Sequence, residues 1–132
     1  VIFATAVRIS NESKYLDAAT ETTDYIFGKN AVGYSFVTGF GSKPAMNPHF
    51  RLSATDGIDE PIPGWVVGGP NSHLQDQRSV RNPTGVVYMS TEPAKCYMDL
   101  VESYASNEIA INWNAPLAYI TGFLVSRSKT GK

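Results

Sequence analysis

The sequence predicts an all-α protein whose helices flank one long, irregular loop region. Three textures along its 132 residues carry that prediction. Residues 1–28 have helical patterning, residues 29–97 are broken throughout by glycine and proline, and residues 108–126 are apolar almost all round.

The first helical piece ends near Ser10. Ser10 or Asn11 is suited to cap a second helix from about Glu12 to Phe27, since a short polar side chain can accept from the free amides of a first turn. In that helix Tyr15, Ala18, Ala19, Thr22 and Ile26 fall on one face, and Tyr25 and Phe27 widen the stripe. Gly28 then supplies the C-terminal stop.

From Lys29 to Tyr97 the glycines free the backbone and the prolines remove donors, and both oppose helix. Loops of such length in compact domains are usually functional. Tyr34–Thr38 and Val86–Met89 have strand character but are too short for an independent sheet.

The last segment, Glu108 to Ser126, reads as a helix without a polar face. Such a helix is buried on every side, and this chain is too small to surround it. Partner surface outside these residues is therefore expected. Val1 is not a methionine and already stands in an apolar run, so the chain reads as cut from something longer. Pro116 sits near a first turn or else kinks the helix.

Charge excludes one class of partner. With 17% charged residues and a formal net charge of -1, there is no basic stripe of the kind that nucleic acid selects. No apolar stretch is long enough to span a membrane, and no signal peptide is visible. Cys96, the single cysteine, cannot form a disulfide within the chain and reads as a buried, inert thiol.

Chemistry could sit in three places. In Pro48-His49-Phe50-Arg51, extended backbone would point His49 and Arg51 the same way, offering donors to hydroxyls; a loop His–Arg pair is also commonly structural. The second place holds Asp99, Tyr104 and Glu108. An apolar block beside Glu108 would disfavour its charged form, as a general acid requires. If Ser106 caps the helix, the dipole at its first turn favours the anion instead, and Glu108 is then a plain helix-start glutamate. The third is Gly68-Gly69-Pro70-Asn71 with His73, Asp76, Gln77 and Arg78; it lacks the lysine and spacing of a phosphate loop. His49, His73 and Cys96 match no zinc spacing, so no metal site is assigned.

Together these segments match one family. Ser35 to Lys43, Pro44 to Asn47 and then Pro48-His49-Phe50-Arg51 resemble the histidine motif of family-nine glycoside hydrolases. Tyr97 to Ala115 resembles its acidic motif, in which an aspartate stands five before an aromatic and a glutamate four after it: Asp99, Tyr104 and Glu108. Ala110 and Asn114-Ala115 fall where the family has them. Asp24 to Asn30 and Val67 to Asn71 are also similar to family segments, so the matches run in order along nearly the whole chain.

The resemblance implies an (α/α)6 barrel, of which residues 1–132 are the C-terminal portion with long active-site loops. It implies hydrolysis of β-1,4-glucosidic bonds in cellulose or related β-glucans with inversion. In that chemistry one carboxylic acid protonates the leaving oxygen, and a carboxylate roughly 6.5–9.5 Å away activates water on the opposite face. Glu108 would be the acid, and His49, Arg51 and Tyr104 would bind sugar around the cleaved bond, with His49 close enough to count among the catalytic group. Asp99 would join that group in a supporting polar role. The catalytic base is expected on the N-terminal remainder, because Asp56, Asp59 and Asp76 lack its context; this chain alone is expected to be inactive. The family usually has a second histidine where Phe50 stands. Calcium or zinc often accompanies the family, but no ligand here is assigned to either, so any calcium would sit elsewhere in the complete domain. No cofactor is implied for this chain. The expected partners are a glucan oligosaccharide or cellulose and the remainder of the catalytic domain, and the expected location is extracellular. The other readings are a fragment that only binds glucan, or a member acting on another β-glycan.

Overall fold

The computed structural model describes residues 1–130, with side chains through Ser128. Its elements are α1 (Ile2–Ser10), α2 (Ser13–Ile26), α3 (Arg51–Thr55), a 3-10 turn (Pro93–Lys95), α4 (Tyr104–Asn107) and α5 (Ile111–Thr130). The long central segment is irregular, as its glycines and prolines predict.

The boundary of α1 and α2 differs from expectation in its cap. Asn11 does not begin α2. It adopts the left-handed conformation (φ 55°) and ends α1, its amide donating to the Val7 carbonyl at 2.8 Å. Asparagine tolerates that conformation better than most residues. Its side-chain oxygen accepts from Arg127 Nη2 at 3.1 Å, which ties this corner to α5. The end of α2 is as predicted. Gly28 takes φ 124°, its amide donates to Tyr25, and the Lys29 amide donates back to Asp24 at 2.9 Å. This is the paired closure that a glycine just past a helix makes accessible.

The main core joins α1, α2 and α5: Ala4, Val7, Ala19, Leu117, Ile120 and Phe123 are buried together with Val37 and Val66. Of the expected α2 stripe, Ala19 is buried and Thr22 is exposed; Leu16 packs against the core as well. The all-round burial expected for the last helix does not occur within this chain. Leu117, Ile120 and Phe123 face inward, whereas Ile111 (87%) and Val125 (53%) are exposed. Pro116 lies inside α5, past its first turn, the second of its two expected placements.

The expected strands are single bridges. Ser35 pairs with Pro44, Val37 with Val66, Val67 with Ile109, His49 with Glu108, and Gln77 with Val86. The first four run in series, so a ribbon of one-residue pairings crosses the loop region and links 44, 35–37, 66–67, 108–109 and 49. At 86–89, Val86 and Tyr88 are buried while Val87 and Met89 are exposed. The two-residue alternation of a strand is present there without a ladder. No helix among the described residues is long and apolar enough to cross a membrane.

Candidate active site

Glu108 is not in a helix. It follows α4 in extended conformation (φ -71°, ψ 152°), and α5 begins at Ile111. The helix-start reading is therefore overturned, and Ser106 is not the cap of α5. The burial expected around Glu108 is also not supplied by this chain, since the residue is exposed.

What holds Glu108 is its backbone. The His49 amide donates to the Asn107 carbonyl at 2.8 Å on one side, and the Gly68 amide donates to the Glu108 carbonyl at 3.1 Å on the other. Gly69 donates to Ser106 at 2.8 Å. The paired glycines thus allow close approach to the chain's own backbone: a Cβ at Gly68 would stand 3.2 Å from the Trp113 ring and 3.4 Å from the Ser106 carbonyl. Glycine lacks that atom, so two loops can flank the acidic segment directly.

Behind Glu108 lie Ser103, Ser106 and Asn107, all fully buried. Burying polar groups costs free energy unless each finds a partner. The Asn107 amide donates to the carbonyls of Asn47 and Leu100 and to the Asp99 carboxylate, and its oxygen accepts from Tyr97 Oη at 2.7 Å. Ser106 Oγ accepts from the Met98 amide at 3.2 Å and shares a 2.7 Å hydrogen bond with Ser103 Oγ. Tyr97 packs edge-on against Phe36 and Tyr34. Burial pushes its phenol well above the usual tyrosine range, with smaller contributions from the charge of Asp99 and from Tyr34.

The structure brings His49, Tyr104 and Glu108 together. The rings of His49 and Tyr104 meet at 6.0 Å, edge to face. His49 Nδ1 donates to the Val101 carbonyl. A carbonyl cannot donate, so Nδ1 carries the hydrogen and Nε2 is left for another partner. Tyr104 Oη donates to the Gln75 carbonyl at 3.0 Å.

Asp99 is committed elsewhere. Its carboxylate accepts from the amides of Met46 and Asn47, each at 2.8 Å, so it holds the turn that leads into Pro48-His49. Arg51 opens α3 after the extended residue Phe50, and it is exposed. Phe50 packs on Trp65, with ring centroids 4.7 Å apart. His73 is exposed, with its amide on the Asn71 side chain, and does not join the group. No group of three metal-ligating side chains occurs among the described residues. Cys96 is fully buried, its thiol donating to the Glu92 carbonyl at 3.1 Å.

The model of glycosyl hydrolase family 9 matches residues 1–121. The chain belongs to glycosyl hydrolase family 9. Among curated family 9 relatives, it is 48% identical to the xyloglucan-specific endo-beta-1,4-glucanase of Bacteroides ovatus, over 83% of this chain and 17% of that protein. It is 44% identical to the cellodextrinase of Butyrivibrio fibrisolvens, over 94% of this chain and 22% of that one. A solved structure of AaCel9A in complex with cellobiose-like isofagomine matches with a TM-score of 0.69 and 40% identity, over 85% of this chain and 20% of the other. The chain thus spans about a fifth of the length of these relatives. The described residues are helical without strands, and the structural neighbours are family 9 domains, which are (α/α)6 barrels.

Sequence reading missed the buried polar support. Tyr97, Ser103, Ser106 and Asn107 each sit within the acidic motif, and the only signal was a polar run placed directly before an apolar helix.

Proposed function

We propose that this chain is the acid-bearing, C-terminal part of an (α/α)6 glycoside hydrolase domain that cleaves β-1,4-glucans with inversion. Glu108 donates its proton to the glycosidic oxygen as the C1–O bond breaks. Water, deprotonated by a carboxylate on the remainder of the domain, attacks C1 from the opposite face. His49 Nε2, Arg51 and Tyr104 hold sugar hydroxyls beside the cleaved bond, and Asp99 positions the His49 loop. The protein acts outside the cell, where a polymeric glucan is met.

The observation that carries this reading is the bridge that sets an exposed Glu108 beside His49. Among the described residues the Glu108 carboxylate has no ion-pair partner, so it is available to an incoming ligand. The relatives' names add the substrate class: one is specific for xyloglucan, one acts as a cellodextrinase, and a third holds a cellobiose-like compound. Xyloglucan is the second substrate reading, favoured by the 48% identity.

The test is Glu108→Gln in the complete enzyme. Hydrolysis of cello-oligosaccharide and xyloglucan falls by about 10²–10⁴ or more, while glucan binding measured by calorimetry is retained. Turnover close to normal would end the assignment of Glu108 as the acid.

A further inference from the structure

A second polar hub lies behind the site, on residues that the reaction does not use. Asp76 is 1% exposed, yet its carboxylate meets no cation among the described residues. It accepts from Tyr88 Oη at 2.7 Å and from the Ala105 amide at 2.9 Å. Tyr88 Oη stands 3.1 Å from Ser103 Oγ and 3.4 Å from Ser106 Oγ. The residue before Asp76 offers its carbonyl to Tyr104 Oη. The Asp76 carbonyl accepts from the Val86 amide at 2.8 Å and from Asn82 Nδ2 at 3.1 Å.

The neighbouring backbone groups are claimed in the same way. The Ala105 carbonyl accepts from Asn71 Nδ2 at 2.9 Å, and the Ser106 carbonyl accepts from the Gly69 amide. Loop 68–76 therefore grips α4 at successive peptide groups, and Asp76 supplies a side-chain acceptor in that grip. Burying a carboxylate without a cation is an expensive way to stabilise a loop. Here one carboxylate oxygen accepts from Ala105, on the short turn that begins at Tyr104 and ends at Glu108, and the other accepts from Tyr88, whose Oη in turn meets Ser103 and Ser106.

We propose that Asp76, backed by Tyr88, is a positioning residue for the general acid: it fixes the Ala105–Ser106 turn so that Glu108 leaves it extended and Tyr104 sits against His49. This rests on the assignment of Glu108 as the acid. A carboxyl displaced by about 1 Å can cost about 10²-fold in rate, so the hub acts on chemistry without touching substrate. Its signature is a leaving-group dependence. A dinitrophenyl cellobioside releases its aglycone as a stable phenolate and needs no proton on the leaving oxygen, whereas an unactivated cello-oligosaccharide does.

The experiment compares Asp76→Asn, Tyr88→Phe and Glu108→Ala in the complete enzyme on both substrates, with melting temperatures. Asparagine presents either an amide hydrogen to the Ala105 N–H or its oxygen there at the expense of Tyr88. The expected result is a fall in kcat of about tenfold to a hundredfold on the oligosaccharide, less than about threefold on the dinitrophenyl substrate, and an oligosaccharide KM within about twofold. Glu108→Ala shows the same pattern more strongly. Should Asp76→Asn fail to fold, Tyr88→Phe, which keeps the ring, carries the comparison. Parallel losses on both substrates, unchanged kinetics, or loss of folding in both variants would make Asp76 a scaffold residue and overturn the proposal. If Glu108→Ala itself lacks the leaving-group pattern, the acid assignment has failed instead.

Discussion

His49 and Glu108 pair across a single parallel bridge, with the His49 amide donating to the Asn107 carbonyl at 2.8 Å. Two motifs almost sixty residues apart in the chain are thereby joined through backbone. The geometry of the site is consequently sensitive to whatever holds either loop.

His49→Ala removes the imidazole that Val101 orients. Both substrate binding and turnover of the complete enzyme are expected to weaken, with kcat/KM falling about tenfold or more, equivalent to at least about 1.4 kcal/mol. Steady-state kinetics on cello-oligosaccharides checks this. Wild-type values would leave His49 a loop residue only.

Asp99→Ala leaves the Met46 and Asn47 amides without their acceptor. Both amides are exposed, so water can replace the acceptor and the loss is that of the hydrogen bonds themselves, about 0.5–1.5 kcal/mol each. The complete domain is expected to lose stability by that order in a denaturant titration, and to lose activity through a loosened His49 loop. Asp99→Asn keeps one acceptor oxygen and falls between the two. A variant with wild-type stability and no activity would instead place Asp99 in the chemistry itself.

Tyr97→Phe tests the support of Asn107 and has a pH signature. Burial first, then Asp99 and Tyr34, raise the Tyr97 phenol above its ordinary range. Burial also raises Tyr88. Unfolded tyrosine ionises near about pH 10. A folded pKa raised above the unfolded one gives a contribution that is full below about pH 10 and is lost as pH climbs beyond it. Wild-type stability should therefore fall above about pH 10. Tyr97→Phe should start about 1 kcal/mol lower, from the lost hydrogen bond to Asn107, and fall less steeply. Denaturation between about pH 8 and pH 11 reads both, and equal slopes would remove Tyr97 from the linkage.

Much of this protein follows from local rules. The break between α1 and α2 near Asn11, the stop at Gly28 and the irregularity of residues 29–97 come from residues with special backbone preferences, asparagine, glycine and proline, whose effects act within a few residues. The resemblance to the family's histidine and acidic motifs also singled out His49, Arg51, Asp99, Tyr104 and Glu108 together. Only the tertiary structure decided how they divide. Asp99 faces the Met46 and Asn47 amides and Asn107, while Glu108 is set free in a bridge. The hub of Asp76, Tyr88, Ser103 and Ser106 likewise has no local signature. Buried polar groups choose partners by distance in space, and a one-residue bridge needs both of its chains before either side has any reason to form.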